Sequence, residues 1–310
     1  MGDMRLKAPV LFLIFNRPDT TQRVFDAIRQ AKPARLFVAA DGPREDRHGE
    51  AEKCTQARSI IGNIDWDCEV VTRFREKNLG CRKAVSSAID WFFENVEEGI
   101  ILEDDCLPSR SFFMYCDELL AHYRDDTKVM QICGSNYFKG FETREKSYFF
   151  SRFGPIWGWA SWRRAWGYYD VDMRLWPEIK KNKVSKNFYE SKDEELNRIA
   201  VYDKTFSGEI DTWDYQWSFA KMINAGLSII PSVNLIANIG FSSEATHTSD
   251  PSDPFSNMES KNLSFPLSHP VRVSADRAAD RMFVENVLLR GVKKSSFKRF
   301  LNLLKKRSGP

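Results

Sequence analysis

The stretch Gly99-Ile100-Ile101-Leu102-Glu103-Asp104-Asp105-Cys106-Leu107-Pro108 decides how the rest of the chain reads. Three apolar residues run into three carboxylates, and a proline follows shortly after. An apolar run this short suits a strand buried on both faces, as in a parallel sheet. The acids then fall where the strand leaves the sheet, which in an open α/β sheet is where ligands bind. Adjacent carboxylates repel one another, so something cationic belongs among them. Hard oxygen donors suit Mg²⁺ or Mn²⁺, held by one or two carboxylates together with substrate phosphates. The bland alternative is an acidic loop in water; the apolar lead-in and Pro108 favour a site.

The flanking sequence repeats this pattern. Pro9–Phe15 (PVLFLIF) reads as a first strand with Asn16-Arg17-Pro18-Asp19-Thr20 at its carboxyl end, where Pro18 opens a helix to about Ala31. Arg35–Ala40 reads as a second strand ending in Asp41-Gly42-Pro43, followed by a helix around Ala51–Ile61 and a third strand at Cys68–Arg73. Asn78-Leu79-Gly80-Cys81-Arg82-Lys83 leads into a helix whose Val85, Ile89, Trp91, Phe92 and Val96 suit one buried face. A helix at about Arg110–Tyr123 and a strand at Val129–Cys133 continue the alternation. Strands alternating with helices mean βαβ units and parallel pairing, hence an α/β fold. Asn16 and Arg17, Asp41, and Glu103, Asp104 and Asp105 then stand at successive strand ends. No G-x-x-x-x-G-K-[ST] occurs and no G-x-G-x-x-G follows the first strand, which excludes a P-loop enzyme and weakens a dehydrogenase reading.

Beyond Gly134 the alternation fades. Phe153–Trp166 (FGPIWGWASWRRAW) reads as a loop that shapes a pocket. Asn182–Thr205 reads as helical, and Asp211-Thr212-Trp213-Asp214-Tyr215-Gln216-Trp217 opens a helix to about Asn224. Leu227–Pro231 and Asn234–Ile239 read as short strands. Phe241–Ser268, which contains His247, is a long polar loop of the kind that covers a site. Ala275–Leu289 closes the domain as a helix.

The 310 residues are 42% hydrophobic and 13% aromatic, enough for one large α/β domain or two small ones, with a sizeable core. The net charge of +3 is uneven: Asn286–Pro310 holds eight basic residues and no acid, so the body is mildly acidic, which argues against nucleic acid as a partner. The tail's Phe297, Phe300, Leu301 and Leu304 stand at helical spacing among lysines and arginines. That pattern suits either a solvated terminus or an amphipathic helix on an anionic membrane face. The six cysteines form no C-x-x-C pair and suggest a reducing compartment, without zinc or a disulfide framework. No stretch is long and apolar enough for a signal peptide or a membrane span.

A divalent ion at the acidic triad, with Arg17 and Asp41 beside it, suits a nucleotide diphosphate. The ion neutralises the pyrophosphate, and Arg17 adds a fixed fork. Asp41 can accept an N–H from uracil or from guanine. A second acid must do different work: Asp214, between Trp213 and Trp217, has apolar neighbours that raise its pKa and a helix N-terminus that lowers it. It is a candidate base for a sugar hydroxyl, with Asp211 as rival, and its other reading is a helix cap.

Asn16-Arg17, Asp41, Glu103-Asp104-Asp105, Pro155-Ile156-Trp157-Gly158-Trp159 and Trp213-Asp214-Tyr215-Gln216-Trp217 occur in the order seen in GT-A-fold glycosyltransferases. Over about residues 8–250 the chain resembles that family, N-acetylglucosaminyltransferase I and its bacterial relatives in particular. The resemblance implies a mostly parallel sheet flanked by helices in one catalytic domain over 1–285. Its nucleotide-sugar half is 1–134, its acceptor half 135–285, and 286–310 is a basic tail. It implies that Asp105 contacts Mn²⁺ or Mg²⁺ and that Glu103 and Asp104 hold the donor's sugar or ribose. Arg17 and Asp41, with Asn16, hold the nucleotide, and Arg82 lies near the donor. Trp157, Gly158 and Trp159, with Trp213, shape the donor–acceptor pocket, and Asp214 is the base of a single inverting displacement. The family's second acid after that base is here Tyr215. Ala245-Thr246-His247 loosely echoes the family's late Ser-His-Gly, with His247 either a metal or phosphate contact or a solvated loop histidine. A cytoplasmic enzyme on the inner face of a bacterial membrane, moving a sugar from a nucleotide-sugar donor to a glycan or lipid-linked acceptor for surface polysaccharide, fits the chain. A sugar nucleotidyltransferase shares the sheet, but it should carry a Gly-rich basic loop after the first strand. An inactive nucleotide- or glycan-binding module is the third reading.

Overall fold

A computed structural model describes residues 5–138, 145–184, 188–241, 255 and 258–290. The first half follows the alternation of the sequence: β1 (Val10–Ile14), α1 (Pro18–Ala31), β2 (Arg35–Ala40), α2 (Glu50–Ser59), β3 (Glu69–Phe74), α3 (Gly80–Asn95) and β4 (Glu98–Glu103). Then come β5 (Cys106–Pro108), α4 (Arg110–His122), β6 (Val129–Cys133), β7 (Tyr148–Ser151) and β8 (Trp159–Trp162). The chain continues through α5 (Arg163–Trp166), α6 (Trp176–Lys181), α7 (Lys192–Phe206), α8 (Asp214–Ile223), β9 (Leu227–Pro231), β10 (Ile236–Asn238) and α9 (Arg277–Phe283). Eight strands form one sheet in the order β3-β2-β1-β4-β8-β6-β9-β7, and β10 pairs antiparallel with β5 in a small second sheet.

The fold class is as expected: a mainly parallel central sheet flanked by helices. β1 lies between β2 and β4 in parallel register, and all five of its residues are buried, which is why the run VLFLI does not alternate. One face of the sheet packs Leu11, Leu13, Phe37 and Ile101 under Ile89, Phe92 and Phe93 of α3. The other packs Val10, Phe12, Ile100 and Leu102 against Val24, Phe25 and Ile28 of α1 and Phe112 and Leu119 of α4.

β8 is the departure. Part of the expected pocket loop is a strand in mid-sheet, antiparallel to both β4 and β6 and buried throughout. Its WASW alternation places Trp159 on one face and Trp162 on the other. Parallel strands end at the sheet's carboxyl rim, but a reversed strand begins there. The segment ahead of β8, with Trp157 and Gly158, therefore meets the loops that follow β1, β2 and β4. Among the described residues no helix is long and apolar enough to cross a membrane. The tail pattern Phe297–Leu304 and His247 lie outside the described residues.

Candidate active site

The β1–β4 register sets Leu13 beside Glu103, so the chain leaves β1 directly alongside the acids. Phe15 N–H donates to Asp104 Oδ2 at 3.1 Å. Arg17, just ahead of α1, forks across two carboxylates: Nη1 to Asp105 Oδ2 at 2.9 Å and Nη2 to Asp104 Oδ1 at 2.6 Å. The cation that three adjacent acids require is thus in part supplied by the chain. Burial works to lower the Arg17 pKa, and the Asp104 and Asp105 carboxylates outweigh it and raise it. One guanidinium does not balance three acids. Burial, then Asp105 and Asp104, push Glu103 up to about 8. Burial pushes Asp104 up to about 6 against the pull of Arg17. Glu103 Oε1 is buried with no hydrogen-bond partner.

Gly240 closes this corner from above. A Cβ there would overlap both Asp105 Oδ2 and Arg17 Nη1, so only glycine lets the backbone after β10 lie against the ion pair. Its N–H is held by Asn238 Oδ1 at 2.8 Å, and Ile239 N–H bonds Asp105 O at 2.8 Å.

Asp41 stands at the carboxyl end of β2 as expected, but its carboxylate faces backbone. It accepts from Leu79 N–H at 3.0 Å, Gly80 N–H at 3.2 Å and Gly42 N–H at 3.0 Å, which anchors the start of α3. Its pKa is raised by burial, which outweighs those three donors. Asp211 reaches the same helix start, accepting from Arg82 N–H at 3.4 Å. Asp214 opens α8 and accepts a hydrogen bond from the Thr212 hydroxyl.

Arg17, Asp41, Glu103, Asp104, Asp105, Trp157, Asp211, Trp213 and Asp214 all line one cavity of about 930 Å³, within the range of small-molecule sites. Four expected site residues, Asn16, Arg82, Gly158 and Trp159, do not line it. Asn16 donates to Glu50 Oε1 at 2.9 Å, completing a pair that Glu50 makes with Arg44. Arg82 turns to Val171 O, tying α3 to the segment after α5. Trp159 is 0% exposed and stacks on Trp213 at 5.6 Å, because its strand is in mid-sheet and its side chain faces α8. Gly158 is at φ +57 with a Cβ position filled by Ile236, a close approach that carries Trp157 past the end of β4.

The sequence reading missed cations. Arg73 and Arg75, at the end of β3, line the cavity and both donate to Ser87 of α3, through Nη1 to the carbonyl at 3.1 Å and Nη2 to the hydroxyl at 2.8 Å. Burial and the Arg73 charge lower the Arg75 pKa. Alternation gave the signal: 73 and 75 share a face at a strand end. Lys221 and Arg198 line the cavity at its other side, and nothing in their local sequence marks them.

Among the described residues no group of three or more His, Cys, Asp or Glu side chains is arranged to hold a metal. The donor chemistry still fits a shared ion. Asp105 and Glu103 offer carboxylate oxygens, one of them the orphaned Glu103 Oε1, at a corner with negative charge in excess. Phosphates can supply the remaining ligands.

No family model matches the sequence, and no curated protein does. Solved structures give distant similarities. HddC from Yersinia pseudotuberculosis is 9% identical with a TM-score of 0.31, over 51% of this chain and 77% of that one. A UDP-glucose pyrophosphorylase complexed with UDP-glucose is 11% identical with a TM-score of 0.27, over 48% and 64%. The 4-diphosphocytidyl-2C-methyl-D-erythritol synthase from Anaerococcus prevotii is 8% identical with a TM-score of 0.30, over 70% and 98%. Similarity at this level assigns no activity to the chain.

Proposed function

We propose that this chain is a metal-dependent, inverting glycosyltransferase. It moves a sugar from a nucleotide-diphosphate donor, a UDP-sugar foremost, to a glycan or lipid-linked acceptor in bacterial surface polysaccharide synthesis. The observation that carries the reading is that Asp214, at the start of α8, and the Glu103–Asp105 triad, at the end of β4 and just after it, line one cavity, with the Asp214 charge felt at Glu103. One acidic group therefore comes from a different element than the cluster that would bind the leaving diphosphate. Asp105 and Glu103 would hold Mn²⁺ or Mg²⁺, and the ion when bound neutralises charge on that diphosphate.

The chain's own residues do the rest. Arg73 and Arg75 line the cavity beside Asp41 and are placed to bind phosphate oxygens. Trp157 presents a ring to a sugar face. Asp214, oriented by Thr212, takes the proton of the acceptor hydroxyl as its oxygen attacks the sugar carbon. Asp211, whose carboxylate accepts from Arg82 N–H at the start of α3, is the alternative base. Nucleotidyl transfer is the rival on the same sheet. The turn after β1 speaks against it: Phe15-Asn16-Arg17-Pro18 has no glycine to cradle a triphosphate, and Arg17 is turned onto two carboxylates.

The test is a panel of nucleotide sugars with and without Mn²⁺, read by thermal stabilisation and by release of nucleoside diphosphate. Asp105→Ala is expected to lose both. Asp214→Asn is expected to keep the metal-dependent stabilisation and to lose transfer by about 10²–10⁴-fold. Pyrophosphate release from a nucleoside triphosphate and a sugar phosphate, with no turnover of nucleotide sugars, would replace the proposal with nucleotidyl transfer. Donor binding with no turnover of any acceptor would leave a binding module.

A further inference from the structure

We infer that β3, the outer edge of the central sheet, docks a second copy of this chain, which pairs with it antiparallel about a two-fold axis through Thr72. The pairing does not depend on the transferase proposal. The two edges of the sheet differ. β7, at one end, is buried along its whole length, and later chain lies along it: Ser147 N–H bonds Ser268 O at 3.0 Å and Asp276 N–H bonds Phe150 O at 2.8 Å. β3, at the other end, pairs with β2 alone among the described residues, and four of its six residues are exposed. Glu69 N–H donates to Ala34 O at 2.9 Å and Arg75 N–H to Ala40 O at 3.0 Å, so the odd-numbered residues turn their backbone groups to β2. Those of Val70, Thr72 and Phe74 therefore point outward, a ready row for another strand. No proline, lysine or bulge interrupts EVVTRF to keep that row unpaired.

The edge is complementary to itself. Val71 packs toward α3 and Arg73 bonds Ser87 of α3, so Val70, Thr72 and Phe74 share the opposite face. Val70 and Phe74 are 38% and 39% exposed, which is unusual for large apolar side chains in mid-strand. Pairing about Thr72 sets Val70 against Phe74 of the second copy, twice, so each exposed apolar group covers another. Thr72 meets its own counterpart, and the two exchange both N–H···O bonds. On the α3 face the same register brings Glu69 opposite Arg75 of the second copy, again twice. Glu69 already holds Arg35 Nε at 2.8 Å, and Arg75 donates to the Ser87 hydroxyl at 2.8 Å. Both keep capacity, since a carboxylate accepts several bonds and a guanidinium has several donors. Parallel pairing in register would set Glu69 beside Glu69 and Arg75 beside Arg75, like charge against like. Charge therefore fixes the direction, and the apolar pair fixes the register.

The test is sedimentation of the full chain over a concentration series up to about 200 µM, the range of small reversible interfaces, with backbone amide hydrogen exchange read at both ends of the series. A reversible dimer is expected, with slower exchange at Val70, Thr72 and Phe74 in the concentrated sample alone. Thr72→Pro removes an outward donor and leaves the ladder to β2 intact. Val70→Lys sets a charge against Phe74 of the second copy. Each is expected to weaken association about tenfold or more, with the unfolding temperature of the dilute protein unchanged. Glu69→Gln is expected to weaken it about threefold and to remove most of its salt dependence. A chain that stays monomeric throughout overturns the inference. So does a dimer that survives both Thr72→Pro and Val70→Lys, which would place the contact elsewhere. Slow exchange at the three amides in a monomer, at every concentration, would also overturn it and assign the edge to another part of the same chain.

Discussion

Arg17 and Lys221 are two cations set into the protein on opposite sides of β8, and their surroundings differ. Arg17 stands at the end of the parallel block and meets two carboxylates in a fork, which raise its pKa. Lys221 lies under the irregular half, on an amide oxygen and a hydroxyl, and burial lowers its pKa to about 8. One cation is held by opposite charge and the other by dipoles. The first arrangement tolerates no loss of a partner. The second keeps the charge at a cost that a neutral side chain would not incur.

The largest expected effect breaks the first arrangement. Arg17→Met leaves a buried carboxylate cluster without its cation and should cost about 3–5 kcal/mol, measured by urea unfolding at pH 8. Glu103 and Asp104 already have raised folded-state pKa values, so the native state keeps protons that the unfolded state has released. Stability therefore falls as pH rises from the ordinary carboxylate range through about 6 and on to about 8. Removing Arg17 should steepen that fall, and an unchanged slope would show that the carboxylates do not depend on it.

Gly240→Ala tests the lid over the same pair. With no room for a Cβ against Asp105 and Arg17, a loss of about 1–3 kcal/mol is expected by thermal unfolding. A neutral outcome would mean that the backbone after β10 shifts freely.

Lys221→Met sharpens the other side. With the folded pKa near 8 and the unfolded one at 10.5, the unfolded state holds the extra proton between them, so wild-type stability should rise across that window. The variant should lose the rise and be no less stable than wild type at pH 7, since Gln131 Oε1 still accepts from Trp217 Nε1 at 3.2 Å. A variant that unfolds more easily at pH 7 would show that the dipoles need the charge. The smallest effect is expected for Asn16→Ala, about 1 kcal/mol by urea unfolding, because Arg44 continues to hold Glu50. A loss beyond about 3 kcal/mol would mean that Glu50 depends on Asn16 rather than on Arg44.

The parallel block was legible because its strands are buried on both faces and its helices carry one apolar stripe. VLFLI, RLFVAA and GIILE need no partner to be recognised. The acids after β4 could be placed for the same reason. Asp41 and Arg82 show where this stops: a strand-end position fixes the backbone, and the side chain then answers to whichever donor or acceptor lies nearest. In the second half the signal is non-local. Trp159 and Trp213 stand 54 positions apart and look like pocket aromatics until β8 enters mid-sheet and stacks them. Lys221 reads as an ordinary helix lysine because Gln131 and Ser228 come from other strands.

The fork of Arg17 has a consequence for loading. A guanidinium tethered to the chain occupies the corner in advance, so folding need not await a mineral ion. An incoming divalent ion would meet a resident competitor for Asp105 Oδ2.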